Sequence, residues 1–124
     1  MQHTTIKELQ WLHDSDVLNI EYDFTNEQAW SIRLTLRCPT DLGYVPWEGK
    51  VLVLLVADVI RSNYSVCGAI GPETFDRINP GISHMLQEDA SQLGQSGEYA
   101  FTITFISGSI LEVICQELLV EIRA

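Results

Sequence analysis

Two stretches of strict alternation on either side of the polar turn "TNEQ" (25–28) constrain this chain more than any other feature. In residues 17–24 the even positions Leu18, Ile20, Tyr22 and Phe24 are apolar, while Asn19, Glu21 and Asp23 are polar. Residues 30–38 repeat the pattern, with Trp30, Ile32, Leu34, Leu36 and Cys38 against Ser31, Arg33, Thr35 and Arg37. A period of two belongs to a strand with one dry face, so the pair predicts a β-hairpin. Directly opposite residues share a face, so even positions must meet even positions. Setting Phe24 opposite Trp30 brings Glu21 opposite Arg33 and Asp23 opposite Ser31 on the wet face. A slip of one residue would turn the whole apolar set to water, so the register is well specified.

The rest of the chain builds around that hairpin. Thr4 or Thr5 can cap a short helix, "TIKELQWL" (5–12), with Glu8 placed to complete a capping box from Thr5. So short a helix has to pack on something larger. "KVLVLLVADVI" (50–60) does not alternate and reads as a strand buried on both faces, its valines and the preceding Gly49 favouring strand over helix. Residues 61–97 carry weak patterns: "NYSVCGAI" (63–70) suggests a further strand and "GISHMLQEDASQL" (81–93) a short helix. "EYAFTITFI" (98–106) alternates cleanly, and "SGS" turns it into "ILEVICQELLVEIRA" (110–124). That last segment fits helical spacing as well. Its β-branched residues and the tight turn before it favour a strand, which must switch its apolar parity near Gln116 through a bulge. The expected fold is α+β but mostly β: an antiparallel sheet of about five or six strands with the short N-terminal helix packed on it.

The chain has 124 residues and no Pro/Gly/Ser-rich linker, which predicts a single domain over 1–124. Its longest apolar run, "VLVLLVA" (51–57), is far short of the ~20 residues that cross a bilayer, and the N-terminus lacks the pattern of a secretory signal. The expectation is a cytoplasmic protein that engages no membrane. Cys38, Cys67 and Cys115 are widely spaced and odd in number, so they read as small core residues rather than a disulfide framework or zinc site. Seventeen acids against seven bases give a net charge of −10, which argues against a nucleic-acid partner and suits a basic protein partner or simple solubility.

The densest group of polar side chains is "HDSD" (13–16). His13, Asp14 and Asp16 could start a metal site for a hydrolase, but a first shell needs three or four ligands in fixed geometry, and only His3 and His84 remain as further imidazoles. The structural account is that Asp14 and Ser15 accept backbone N–H bonds in the turn from helix to strand, braced by His13. Ser83-His84 and "GQSGE" (94–98) lack the context of a nucleophile elbow, and "GAIGPE" (68–73) has no following lysine for a phosphate loop. Asn63-Tyr64-Ser65 matches a glycosylation triplet that matters only after secretion. No catalytic constellation and no cofactor motif stands out. The loop "DLGYVPWEG" (41–49) gathers Tyr44, Val45 and Trp47, residue types that either cap the open end of a core or anchor a protein interface.

The stretch "LHDSDVLNIEYDF" (12–24) and the closing pair "YAFTITFISGSILEVIC" (99–115) resemble a broad group of small bacterial cytosolic proteins of unknown or immunity-like function. Members of that group open with an apolar residue and His-Asp-Ser or His-Asp-Ala, followed by a β-strand. The resemblance implies a sheet-rich bacterial protein, some of whose relatives look like antidotes to toxins, and it carries over no catalytic residue. The expected function is a non-enzymatic protein-binding module, immunity-like, docking through Tyr44, Val45 and Trp47. The alternatives are a metal-dependent hydrolase centred on His13, Asp14 and Asp16, or a small-ligand pocket between helix and sheet. Antiparallel sheet edges also leave a homodimer open, without saying whether those edges are used.

Overall fold

A computed structural model describes residues 1–26, 29–66, 73–81 and 99–123. The hairpin forms as its side-chain chemistry requires. Strands β2 (Asp16–Asp23) and β3 (Trp30–Arg37) pair antiparallel with Glu21 opposite Arg33 and Asp23 opposite Ser31. One detail differs from simple alternation: the register shifts between Val17 and Asn19. An extra residue at a bulge flips the parity of everything before it. Val17 therefore turns into the core at 5% exposure, while Leu18 points outward at 45%.

Strand β4 (Val51–Ser65) lies on β3, and β7 (Ile110–Arg123) lies on β4. The two-faced burial expected of β4 is present, since Leu52, Val53 and Leu54 are all fully buried in succession. The strand also runs on to Ser65, through the start of the segment with weak patterning. The terminal segment is the strand that its β-branched content favours. Leu111, Val113 and Cys115 face the core on odd positions and Leu118 and Val120 on even ones, so parity does switch around Gln116. Opposite it, β4 switches between Val56 and Val59, where Asp58 takes a left-handed φ of 53° and the ladder to β3 slips. The paired kink lets two long strands wrap rather than run flat.

The sheet is closed, not open as expected. Strands β5 (Glu73–Pro80) and β6 (Tyr99–Phe105) pair with each other, β6 pairs with β7, and β5 reaches β2 through Asp16–Thr74 and Val17–Glu73. The result is a six-stranded barrel in the order β7-β4-β3-β2-β5-β6, with β1 (Gln2–His3) added to β7 at Val120 and Leu119. The edges an open sheet would offer are joined along the β2–β5 seam. Strand β5 escapes a reading by alternation because a register shift between Phe75 and Arg77 leaves Phe75 and Ile78, three residues apart, as its buried pair. The helix proposed for 81–93 lies outside the described residues, apart from Gly81.

Side chains fill the barrel. Phe75, Phe101, Phe105, Leu34, Leu36 and Leu54 are each at most 1% exposed within one continuous core, as expected for a barrel this small. Helix α1 (Ile6–Leu9) and the 3-10 turn Gln10–Leu12 add Leu9 and Leu12 to that core. Thr5 caps the helix, its Oγ1 accepting from the Glu8 N–H at 3.2 Å. The Gln10 side chain donates to the carbonyl of Ile78, tying this segment to β5. Among the described residues no helix is long and apolar enough to cross a membrane.

Candidate functional site

Three surfaces come into question. At the first acidic cluster the main chain forms the bonds that the sequence assigned to side chains. The Asp14 N–H donates to the Phe75 carbonyl at 2.8 Å, and the Phe75 N–H returns to the Ser15 carbonyl at 2.8 Å. The Ser15 N–H closes the turn on Leu12 at 3.1 Å. Residues 14–17 thus form the seam that shuts the barrel, with Asp14 in the left-handed region at φ 66°. The expected acceptance of backbone N–H groups by the Asp14 and Ser15 side chains is replaced by this pairing. Asp14 Oδ2 lies 3.4 Å from His13 Nδ1, both side chains largely exposed. The Ser15 hydroxyl is buried beside Cys38 without a hydrogen bond of good geometry. Asp14 and Asp16 line a hollow of about 240 Å³ with Arg37, Cys38, Pro39, Thr40 and Gly49. Among the described residues no three His, Cys, Asp or Glu side chains come together as a metal-binding group. His3 sits on the strand added to β7, three strands from β2 either way round the barrel. His84 lies outside the described residues.

The aromatic loop divides between core and surface. Trp47, in the 3-10 turn Val45–Trp47, is 3% exposed and belongs to the core, whereas Val45 is 78% exposed. Half-buried Tyr44 links the two environments. It meets Trp47 edge-on at 4.9 Å between ring centroids and stacks on Trp11 at 5.7 Å. Trp11 lies beside Gly43, whose left-handed φ of 88° is what favours glycine there, since an added Cβ would meet the indole at an ordinary 3.4 Å. Trp47 also lines a second hollow of about 240 Å³ with Met1, Gln2, Val120, Glu121 and Ile122.

The third surface was assigned from alternation to the dry face, and alternation alone misses it. At the tip of the β2–β3 hairpin, Tyr22, Phe24 and Trp30 form an aromatic cluster. Phe24 lies 5.2 Å from Trp30 and 6.1 Å from Tyr22, and Tyr22 lies 6.2 Å from Trp30. Trp30 is tucked against the core, but Tyr22 is 37% and Phe24 61% exposed. Among the described residues, pairing of β2 on its β5 side ends at Val17, so inward-facing positions toward the tip lose their cover. The turn is held by Asp23, whose Oδ1 accepts from the Thr25 hydroxyl at 2.6 Å and the Thr25 N–H at 2.9 Å. Those two bonds, the hydroxyl's first, keep the Asp23 carboxyl below the usual range.

Elsewhere the polar groups serve the fold. The Glu73 carboxylate accepts from Ser107 Oγ at 2.6 Å and Ser109 Oγ at 2.9 Å, bracing the turn between β6 and β7 against β5. Burial, followed by the charge of Glu73, raises the Tyr64 hydroxyl. Burial pushes the Cys38 thiol up and takes that of Cys115 up to about 12, the opposite of what a nucleophile requires.

Comparison of the chain with protein families, with characterised proteins and with solved structures finds no match.

Proposed function

We propose that this protein is a non-enzymatic, immunity-like binding module that docks on a protein partner through exposed aromatic side chains. The observation that carries the reading is Phe24, a phenylalanine 61% exposed yet stacked with two further rings at a hairpin tip. Clustered, ordered rings in water are what protein interfaces use as anchors. Among the described residues the barrel interior is packed with side chains, and the hollows beside Asp14 and beside Trp47, at about 240 Å³ each, fall below the ~300–1,000 Å³ of small-molecule sites. Both features favour a surface over a pocket. In the aromatic loop, Val45 and Tyr44 remain available to a partner, while Trp47 supports them from the core. The immunity-like part of the reading rests on the resemblance of residues 12–24 and 99–115.

The test is co-expression with the product of the adjacent gene, followed by affinity capture and a growth assay. Phe24→Ala should weaken capture while circular dichroism and melting stay unchanged. Capture retained by Phe24→Ala, by Tyr44→Ala and by the double variant would remove both surfaces from the account. If the neighbouring product arrests growth and this protein does not relieve it, the immunity-like part falls.

A further inference from the structure

We infer that the edge of β7 at residues 118–122 is an acceptor for an extended, aliphatic segment of the protein partner, a seat that β1 fills only in part. The inference rests on the binding-module reading and names the kind of segment such a partner would present. Strand β1 shows how the seat is used. It pairs antiparallel with β7, Gln2 opposite Val120 and His3 opposite Leu119, and the Thr4 N–H donates to the Leu118 carbonyl at 3.0 Å. Alternate residues of a strand aim their N–H and C=O at the same edge, so Leu118, Val120 and Ile122 all face this one. Beyond Val120 no described residue pairs with β7 on this side, and β1 leaves Ile122 unanswered.

The side chains of β1 and its flank do not match what they cover. Opposite residues share a face, so Gln2 lies over Val120 and Thr4 over Leu118, both apolar and at most 4% exposed. Thr4 is itself 4% exposed, and its Oγ1 has no hydrogen-bond partner among the described residues. A buried hydroxyl without a bond weakens the segment that carries it. Gln2 sets an exposed amide against the hollow of about 240 Å³ that Trp47, Val120 and Ile122 also line, and Ile122 stays 47% exposed. That space is small for a free ligand but has room for an aliphatic side chain.

An extended segment with aliphatic residues where this chain has Gln2 and Thr4, and a third opposite Ile122, keeps the main-chain bonds and covers the apolar face. This is strand addition, in which backbone bonds give affinity and alternate side chains give specificity. The seat adjoins the aromatic loop, since Trp47 belongs to both. A second copy is a poorer occupant. Exchanging β1 between copies brings the same Gln2 and Thr4 to the same positions, together with a further −10 of charge.

The probe is a blocked peptide of lysine, leucine, threonine, valine, threonine, leucine and lysine, in that order, set against a scrambled peptide of equal charge that lacks the alternation. Binding to the intact protein is read by fluorescence anisotropy and by hydrogen exchange along the end of β7. The alternating peptide should bind about five- to tenfold more tightly than the scrambled one and protect the Ile122 amide. The double variant Gln2→Val, Thr4→Val should hold β1 in place, raising the urea midpoint and weakening the peptide about fivefold. Ile122→Thr should weaken it likewise, while Ile106→Ala, at an exposed residue beside the opposite end of β7, should not. Equal binding of the two peptides, or binding unaltered in the double variant or in Ile122→Thr, would overturn the inference. So would a dimer, seen by light scattering, that Ile122→Thr dissolves. Partner capture lost in Phe24→Ala but kept in the double variant and in Ile122→Thr overturns this inference while leaving the binding-module reading standing.

Discussion

Replacing Trp47 by alanine separates core from surface in a loop where sequence places Tyr44, Val45 and Trp47 together. Trp47 is 3% exposed, and its ring meets Tyr44 edge-on at 4.9 Å. Truncating a buried tryptophan costs about 3–5 kcal/mol, with the larger values where a closed void remains. Here the void opens onto the hollow lined by Met1, Val120 and Ile122, so water can enter and the cavity penalty shrinks. That places the packing loss near 3 kcal/mol, with about 1 kcal/mol more for the aromatic pair. A total of about 3–4 kcal/mol is a large share of the ~5–15 kcal/mol that holds a domain together. At a urea slope of about 1.5 kcal/mol/M it lowers the unfolding midpoint by roughly 2 M. Val45→Ala, at a residue 78% exposed, should stay within about 0.5 kcal/mol. Equilibrium urea unfolding followed by far-UV circular dichroism measures both. A loss under ~1 kcal/mol for Trp47→Ala, or one for Val45→Ala that equals it, would refute the division of the loop.

Two further outcomes follow from the ionisable groups. Asp23 is held below its ordinary value of 3.8, so its ionised form stabilises the turn at neutral pH and that contribution is lost as pH falls through the folded value. Thr25→Ala should move the Asp23 midpoint up toward 3.8 in a carboxyl NMR titration, and an unmoved midpoint would contradict the assignment. In a Cys67→Ser background, Cys38 and Cys115 should not react with a thiol reagent at pH 8 while folded and should react fully in guanidinium, because burial raises both thiols. Rapid labelling of the folded protein would show the core to be open.

What was legible in the chain follows from period. The Glu21–Arg33 register could be derived because a strand with one dry face leaves a single pairing consistent with burial. The parity switch near Gln116 was legible for the same reason, since the buried set 111, 113, 115, 118, 120 breaks step once. Leu18 misled because it is itself apolar, so a bulge beside it leaves no gap in the alternation. Strand β5 was hidden because its bulge spaces Phe75 and Ile78 like helical residues. Closure could not be read at all: it depends on two residue pairs across the β2–β5 seam, and nothing in Asp16 or Val17 announces Thr74 or Glu73. The exposed aromatics share that cause. Alternation assigns Tyr22 and Phe24 to a dry face but does not say where the cover on that face stops.

The acidic cluster at 13–16 closes the barrel with its backbone rather than gathering ligands for an ion. Amide hydrogen exchange at Asp14 and Phe75, the donors of the two 2.8 Å seam bonds, tests it most directly. Both amides should be strongly protected without any added ion, and equally so in Asp14→Asn and Asp16→Asn, since asparagine tolerates the left-handed φ at position 14. Fast exchange that slows only on adding a divalent cation, and only with His13, Asp14 and Asp16 intact, would contradict the claim and make the seam a metal site.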